Sequence, residues 1–521
     1  MKKKLITAML CLGLAGIGGA GDAEAGISVS WQADGEDKIV LTDQAYEEDG
    51  QLWIPSDTVS TICRRSAVVG GDIDITIPMA KLRTEYKDLN RLLLREMKLS
   101  FPLASRDGRQ YFAVTESAEV IGIEIERKKD RVILKEERGR RYLKQDDKIE
   151  LPQIEGKLNL AWDVMTNTTR TQDKIAGLDI LSPTWFKIED RDGNLASKAT
   201  RAYVDDAHAK GYRVWALVSN SFDRDLTRDV LADPRARQNV IRQLAVYSLI
   251  YDLDGINIDF ENVYDEDKDK LTEFVGEASE LFRQMGLVSS VDVTVPSNSS
   301  YWSLCFDRKA LAERVDYMMV MTYDEHWAAC PVSGSVASLP WVETNIEKML
   351  KLVPKEKLLL GIPLYTREWT ETKNGNKIKA RSKTRWMKDV NALIAEKELT
   401  PTYLEEAGQD YIEYEEDGKL HRIWIENAKS VDKRLSLIQK YDLAGAASWR
   451  KGFETEDIWP LYQTALKPPI PQAEEVIPNN KIEQEDKDKK KKDRKKEKRK
   501  KDKKKKKQKE KKLDDSLTNE S

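Results

Sequence analysis

Between residues 158 and 467, eight short apolar runs are interspersed with helical stretches, and few folds accept that rhythm. The strand candidates are 158–165, 178–185, 213–218, 255–261, 291–296, 315–323, 358–365 and 443–449. Helical stretches fall between them at 199–210, 234–253, 267–285, 307–314, 341–352 and 430–441. Strands that are apolar almost throughout are buried on both faces, the condition of a parallel sheet wrapped in helices. The pattern predicts an α/β chain with a (β/α)8 barrel, the TIM barrel, over about 155–467. The stretch 371–428 is too long for one helix and carries strand-like runs at 411–414 and 422–425, so a small α+β lobe is expected before the last strand.

One of these strands carries chemistry. From Ile256 to Glu261, apolar Ile256, Ile258 and Phe260 alternate with Asn257, Asp259 and Glu261. A period of two puts the sets on opposite faces, with the two carboxylates about 6.5 to 7 Å apart along the strand. Burying carboxylates costs several kcal/mol each unless something compensates, so a purely structural strand seldom keeps such a face. Active sites of these barrels sit at the C-terminal strand ends. Those ends carry Trp162-Asp163, Pro183-Thr184-Trp185, Ser219-Asn220, Asp259-Phe260-Glu261-Asn262, Pro296-Ser297-Asn298, Met321-Thr322-Tyr323-Asp324, Tyr365 and Ser448-Trp449-Arg450. Acids, amides and aromatic rings at one rim suit a carbohydrate, whose CH groups stack on rings and whose hydroxyls bind carboxylates.

Asp254-Gly255-Ile256-Asn257-Ile258-Asp259-Phe260-Glu261 resembles the D-x-x-D-x-D-x-E strand of family 18 glycoside hydrolases, the chitinase family. Met321-Thr322-Tyr323-Asp324 and Ala447-Ser448-Trp449 resemble that family's motifs on strands six and eight, and the whole is similar to the bacterial spore-cortex and wall N-acetylglucosaminidase branch. The resemblance implies a retaining mechanism in which the substrate's 2-acetamido oxygen is the nucleophile. Glu261 would be the general acid and base, Asp259 would orient the acetamido N–H, and Tyr323 would bind its oxygen. Trp449 would floor the sugar subsite, with Asp324, Tyr365, Asn257, Asp254 and Asn262 as further substrate ligands. Asn257 stands where the family carries Asp. Removing that like charge implies that Asp259 ionises more readily. The rival reading is a catalytically inactive glycan-binding wall protein, although retention of Glu261 speaks for an enzyme.

The flanks differ from the barrel. Lys2, Lys3 and Lys4, the apolar run 5–17 and Ala23-Glu24-Ala25 read as a cleavable signal peptide over 1–25, predicting a secreted or wall-associated protein. Residues 26–145 predict a small α+β domain with an internal repeat, 52–62 against 111–121. This domain resembles the copper-amine-oxidase-N-terminal-like stalk of exported wall proteins, a spacer or attachment module. It shows no His or Cys cluster, so neither copper nor any other cofactor is expected. Cys305 and Cys330 either form a bridge or serve as small buried apolar residues. His208 is expected at the surface or in packing, and His326 as incidental.

Residues 471–521 hold 21 Lys and Arg against 13 Asp and Glu, so the whole-chain charge of −3 leaves the first 470 residues at −11. With almost no apolar residues after Ile482, the tail 468–521 is expected to be disordered. It either adheres to anionic wall polymers or only solubilises the chain. The expected partner is an N-acetylglucosamine-containing polysaccharide, with no nucleic acid, and the chain is expected to be a monomer.

Overall fold

The computed structural model describes residues 26–129, 131–137, 139–144, 151–164, 171, 173–374, 377–468, 496–501, 503–505 and 507. The expected signal peptide lies outside them. The chain divides into two compact units, 1–467 and 468–521. In the second, the described residues 496–501, 503–505 and 507 are helical and exposed, and the rest of the tail expected to be disordered lies outside the described residues, 468 excepted.

Eight parallel strands close the barrel: β1 Leu158–Asp163, β2 Ile180–Ile188, β3 Arg213–Ser219, β4 Gly255–Asp259, β5 Val288–Thr294, β6 Tyr317–Met321, β7 Leu358–Pro363 and β8 Gly445–Trp449. Each pairs with its neighbours in sequence, and β8 returns to β1. The lower interior is packed by Leu160, Ile180, Trp215, Leu217, Met319 and Leu359. Trp215 and Tyr317 stack at 5.7 Å across it. This layer fills the barrel below the strand ends that carry the acids.

The inserted lobe begins at Tyr365, earlier than expected, because strand Tyr365–Asn374 starts directly after β7. It is a five-stranded antiparallel sheet with helix Met387–Glu396. A buried pair ties the lobe's end to the barrel: Arg434 donates to both Glu426 oxygens at 2.6 and 2.8 Å and also to the Ala337 carbonyl.

In the N-terminal domain the two sequence repeats face each other. Strand Gln51–Pro55 pairs antiparallel with Arg109–Ala113, and each runs into a helix. This domain is packed on the barrel, which is not how a free spacer behaves. Tyr247, on helix Pro234–Tyr251, donates its hydroxyl to the Ser100 carbonyl at 2.9 Å and accepts from the Ser100 N–H at 2.8 Å. Arg242 binds the Glu96 carbonyl, and Glu116 accepts from the Arg201 N–H at the start of helix Arg201–Ala209. Cys63, Cys305 and Cys330 are free thiols, so Cys305 and Cys330 take the unpaired alternative.

Candidate active site

Strand β4 carries the acids as its alternation predicts, and what surrounds them is supplied by other strands. Asn220, at the end of β3, is fully buried. Its Oδ1 accepts from the Glu261 N–H at 3.1 Å, and its Nδ2 donates to the Glu261 carbonyl at 2.7 Å. These two bonds fix the backbone of Glu261 just where β4 ends, and its side chain is half-buried there. Asn262 follows in the left-handed region at φ 53°, which Asn tolerates better than most residues. Its amide donates to the Phe222 carbonyl at 2.8 Å and holds two loops together. A substrate ligand was expected here, but the amide is already engaged.

Two further expectations are corrected. Asp254 precedes β4, at the closed end of the barrel. Its Oδ2 is bound at 2.8 Å by both His208 Nε2 and the Val214 N–H. Seven extended residues separate it from Glu261, roughly 23 Å of strand, so it cannot share a sugar with that residue. His208 is accordingly a buried clamp. Asn257 is also fully buried and belongs to the layer beneath the site. Its Oδ1 accepts from Trp162 Nε1 at 2.9 Å and from Ser182 Oγ at 3.4 Å. Its Nδ2 donates to Ser290 Oγ at 3.1 Å and Asp292 Oδ1 at 2.9 Å.

Above that layer sits Asp259, 7 % exposed, with an Oδ1 that is buried and meets no donor. Burial pushes its carboxyl up to about 7. Asn257 brings no like charge, and Asp259 is raised by its burial all the same. The charge absent at Asn257 is present on β5, where Asp292 is buried next to Asp259. Burial, then Asp259 and Glu261, hold the Asp292 carboxyl well above the ordinary range, against the Asn257 bond. Glu261 is raised well above its ordinary value too, first by burial and then by the charges of Asp259 and Asp324. Both causes favour the protonated form of its carboxyl, the form a proton donor needs.

The remaining wall is aromatic. Tyr323 follows β6, and its ring meets Tyr365 edge-on at 6.3 Å. Tyr365 and Arg367 each donate to Asp324 Oδ1 at 2.7 Å, so Tyr365 acts on Asp324 and Arg367 joins the site unforeseen. Trp449 lies against Trp162 with ring centres 5.9 Å apart. The Trp449 carbonyl accepts from the Leu364 N–H, and Lys451 binds both the Trp162 carbonyl and Asp163 Oδ2. The Trp449–Arg450 peptide is cis. The structure thus brings Asp259, Glu261, Tyr323, Asp324, Tyr365 and Trp449 together, and places Asn257 below them. Asn220, Trp162 and Asp292 were not foreseen. Asn220 and Trp162 had shown only as rim residues, and Asp292 lay unremarked in the strand candidate 291–296.

Residues 167–453 match the profile of Glycosyl hydrolases family 18. Uncharacterized glycosylase YvbX of Bacillus subtilis is 28% identical over 290 residues, 53% of this chain and 82% of that protein. Cortical fragment-lytic enzyme of the same organism is 25% identical over 251 residues, 47% of this chain. The chain spans 57% of that relative's length. The crystal structure of the Bacillus cereus spore cortex-lytic enzyme SleL superposes with a TM-score of 0.54 at 21% identity, over 61% of this chain and 76% of that one, which shows a common fold.

Proposed function

The chain belongs to glycosyl hydrolases family 18, and from that premise we propose that it cleaves β-linked N-acetylglucosamine glycans with Glu261 as the proton donor. The observation that carries the reading is the contrast between Glu261, half-buried just past the end of β4, and Asp259, buried within the barrel. A retaining enzyme with its own nucleophile needs a second carboxylate facing the anomeric carbon about 5 to 5.5 Å from the acid. Asp259 is recessed, so it serves instead as an acceptor for the acetamido N–H. The substrate's acetamido oxygen then attacks the anomeric carbon while Glu261 protonates the departing oxygen. The oxazolinium so formed is opened by water, which Glu261 deprotonates. Tyr323 steadies the acetamido oxygen, and Trp449 stacks under the sugar.

Peptidoglycan is the favoured substrate and chitin-type oligomers the alternative, a choice supported by the cortical fragment-lytic relative. The N-terminal stalk-like domain and the Lys-rich tail fit an exported protein acting at the wall as a monomer. The test is release of new reducing ends from purified wall glycan and from chito-oligomers. Glu261→Gln should lose about 10²- to 10⁴-fold in rate, the usual share of a general acid, while still binding glycan. Hydrolysis by that variant at the wild-type rate removes the assignment. Binding without cleavage by the wild type would make this a glycan-binding protein.

A further inference from the structure

The Asp259 oxygen without a donor asks for a proton source, and the barrel register supplies one. Strands β4 and β5 pair Asn257 with Ser290 and Ile258 with Val291. One step further along, Asp292 stands beside Asp259, and both turn inward because each follows its strand's alternation by two from a paired inward residue. Adjacent strands lie about 4.8 Å apart, within reach for two short carboxyl side chains. Both residues are almost fully buried. Two carboxylates in that position cannot both ionise cheaply, and one proton between them relieves the repulsion while satisfying the orphan oxygen.

We infer that Asp292 is a third acid of this site, a positioning residue that holds the proton shared with Asp259 and acts on the reaction through it. The inference rests on the glycosidase reading for its kinetic consequence only. Asn257 sets the pair up. Its amide orientation is imposed by Trp162 and Ser182 on one side, which forces its N–H toward Asp292 Oδ1 on the other. Asp292 Oδ1 is then engaged as an acceptor, Trp162 also donates toward this carboxyl, and the carboxyl of Asp259 is the neighbour with which a hydrogen can be shared.

The neighbouring charged groups give no competing partner. Glu261 is itself an acid, and Tyr323 a neutral phenol. Among the described residues, the nearby cations Arg367 and Lys451 are committed to Asp324 and Asp163. In the proposed cycle the proton sits on Asp292 when Asp259 must be an anion to receive the acetamido N–H. It returns to Asp259 when the substrate leaves. The acid partner of Asp259 thus comes from the neighbouring strand, and the β4 position nearest to it holds an amide that steers that acid.

The test pairs a titration with kinetics. In full-length protein carrying carboxyl-labelled aspartate, carbon resonance titration should show the pair losing protons in two separated steps, the second above neutral pH. In Asp292→Asn, which should fold because it keeps the shape, only one step should remain. This readout needs no turnover, so it stands apart from the glycosidase reading. On a glycan that the wild type cleaves, Asp292→Asn should lose tenfold or more in kcat and change its pH profile, with binding nearly intact. The double change Asn257→Asp with Asp292→Asn, which moves the acid back onto β4, should recover part of the rate. A wild-type titration with both aspartates ionised at neutral pH overturns the inference, as does an Asp292→Asn pH profile that matches the wild type.

Discussion

Removing one oxygen, in Tyr247→Phe, tests whether the N-terminal domain and the barrel are a single stability unit. Strand Met97–Pro102 lies at the edge of its three-stranded sheet, so one row of its backbone groups has no partner strand. The Tyr247 hydroxyl meets two of them, the Ser100 N–H at 2.8 Å and the Ser100 carbonyl at 2.9 Å. Ser100 is 2 % exposed and Tyr247 fully buried, so water does not replace the hydroxyl. The phenylalanine ring keeps the stack on Phe186, 5.0 Å away, and the packing stays as it was. Two buried backbone groups then go unsatisfied at about 1 to 3 kcal/mol each, for a loss of about 2 to 4 kcal/mol after local relaxation. Urea unfolding of both proteins should show one transition, with the midpoint lowered and the slope unchanged. Hydrolysis should be unaffected below the transition. A loss under about 0.5 kcal/mol, the size of an ordinary surface change, refutes the account, and separate transitions for domain and barrel refute the single unit.

Glu116 carries a second signature of the same interface. Burial raises its carboxyl from 4.5 to about 7 in the folded chain, so the folded state holds a proton that the unfolded state has lost. The stability this contributes is complete below pH 4.5 and disappears as pH rises through about 7. Melting temperature followed across that window should decline more in the wild type than in Glu116→Gln, and equal slopes would count against it. Arg434→Met leaves Glu426 buried without its cation, with only the neutral donors Gln409 and Ser430, which should cost about 3 to 5 kcal/mol. The cost should shrink toward acid pH, where Glu426 takes up a proton, and denaturant unfolding at two pH values checks both parts.

What could be read from residue order was set by short periods and by spacing along one strand. The eight barrel strands and the inward face of β4 follow from local patterning, and they emerged with only their ends displaced. Asp254 was misjudged although the arithmetic was available, since seven extended residues cannot bring two side chains to one sugar. Asp292 lay unremarked in the alternating run Val291-Asp292-Val293-Thr294. Its place beside Asp259 depends on the register between two strands, which is set by tertiary packing and leaves no local trace. The docking of the N-terminal domain is less legible still. Ser100 and Tyr247 are 147 residues apart, and a buried tyrosine on a barrel helix gives no hint of which edge strand it will cap.

The acid cluster has a thermodynamic consequence that separates catalysis from folding. Asp259, Asp292 and Glu261 are all held above their ordinary values, chiefly by burial. Groups shifted in that direction stabilise the fold at low pH and cease to do so as pH rises through their folded values. Around neutrality the barrel therefore carries carboxyls it would hold more comfortably protonated. A proton donor benefits from that arrangement, because the same burial and the same neighbours favour the protonated form of Glu261. Asp259→Asn should consequently do two opposite things. It takes one titrating carboxyl out of the buried cluster, so the Asp259–Asp292 pair no longer has a second proton to lose and the fold gains stability, more above pH 7 than below it. It also removes the acetamido acceptor, so hydrolysis falls while the protein melts at a higher temperature. Melting curves on either side of pH 7, read beside the rate of reducing-end release, measure both effects. A variant that melts lower than the wild type at both pH values would mean that the Asp259 carboxylate is a structural asset, and that the cost assigned to this cluster is misplaced.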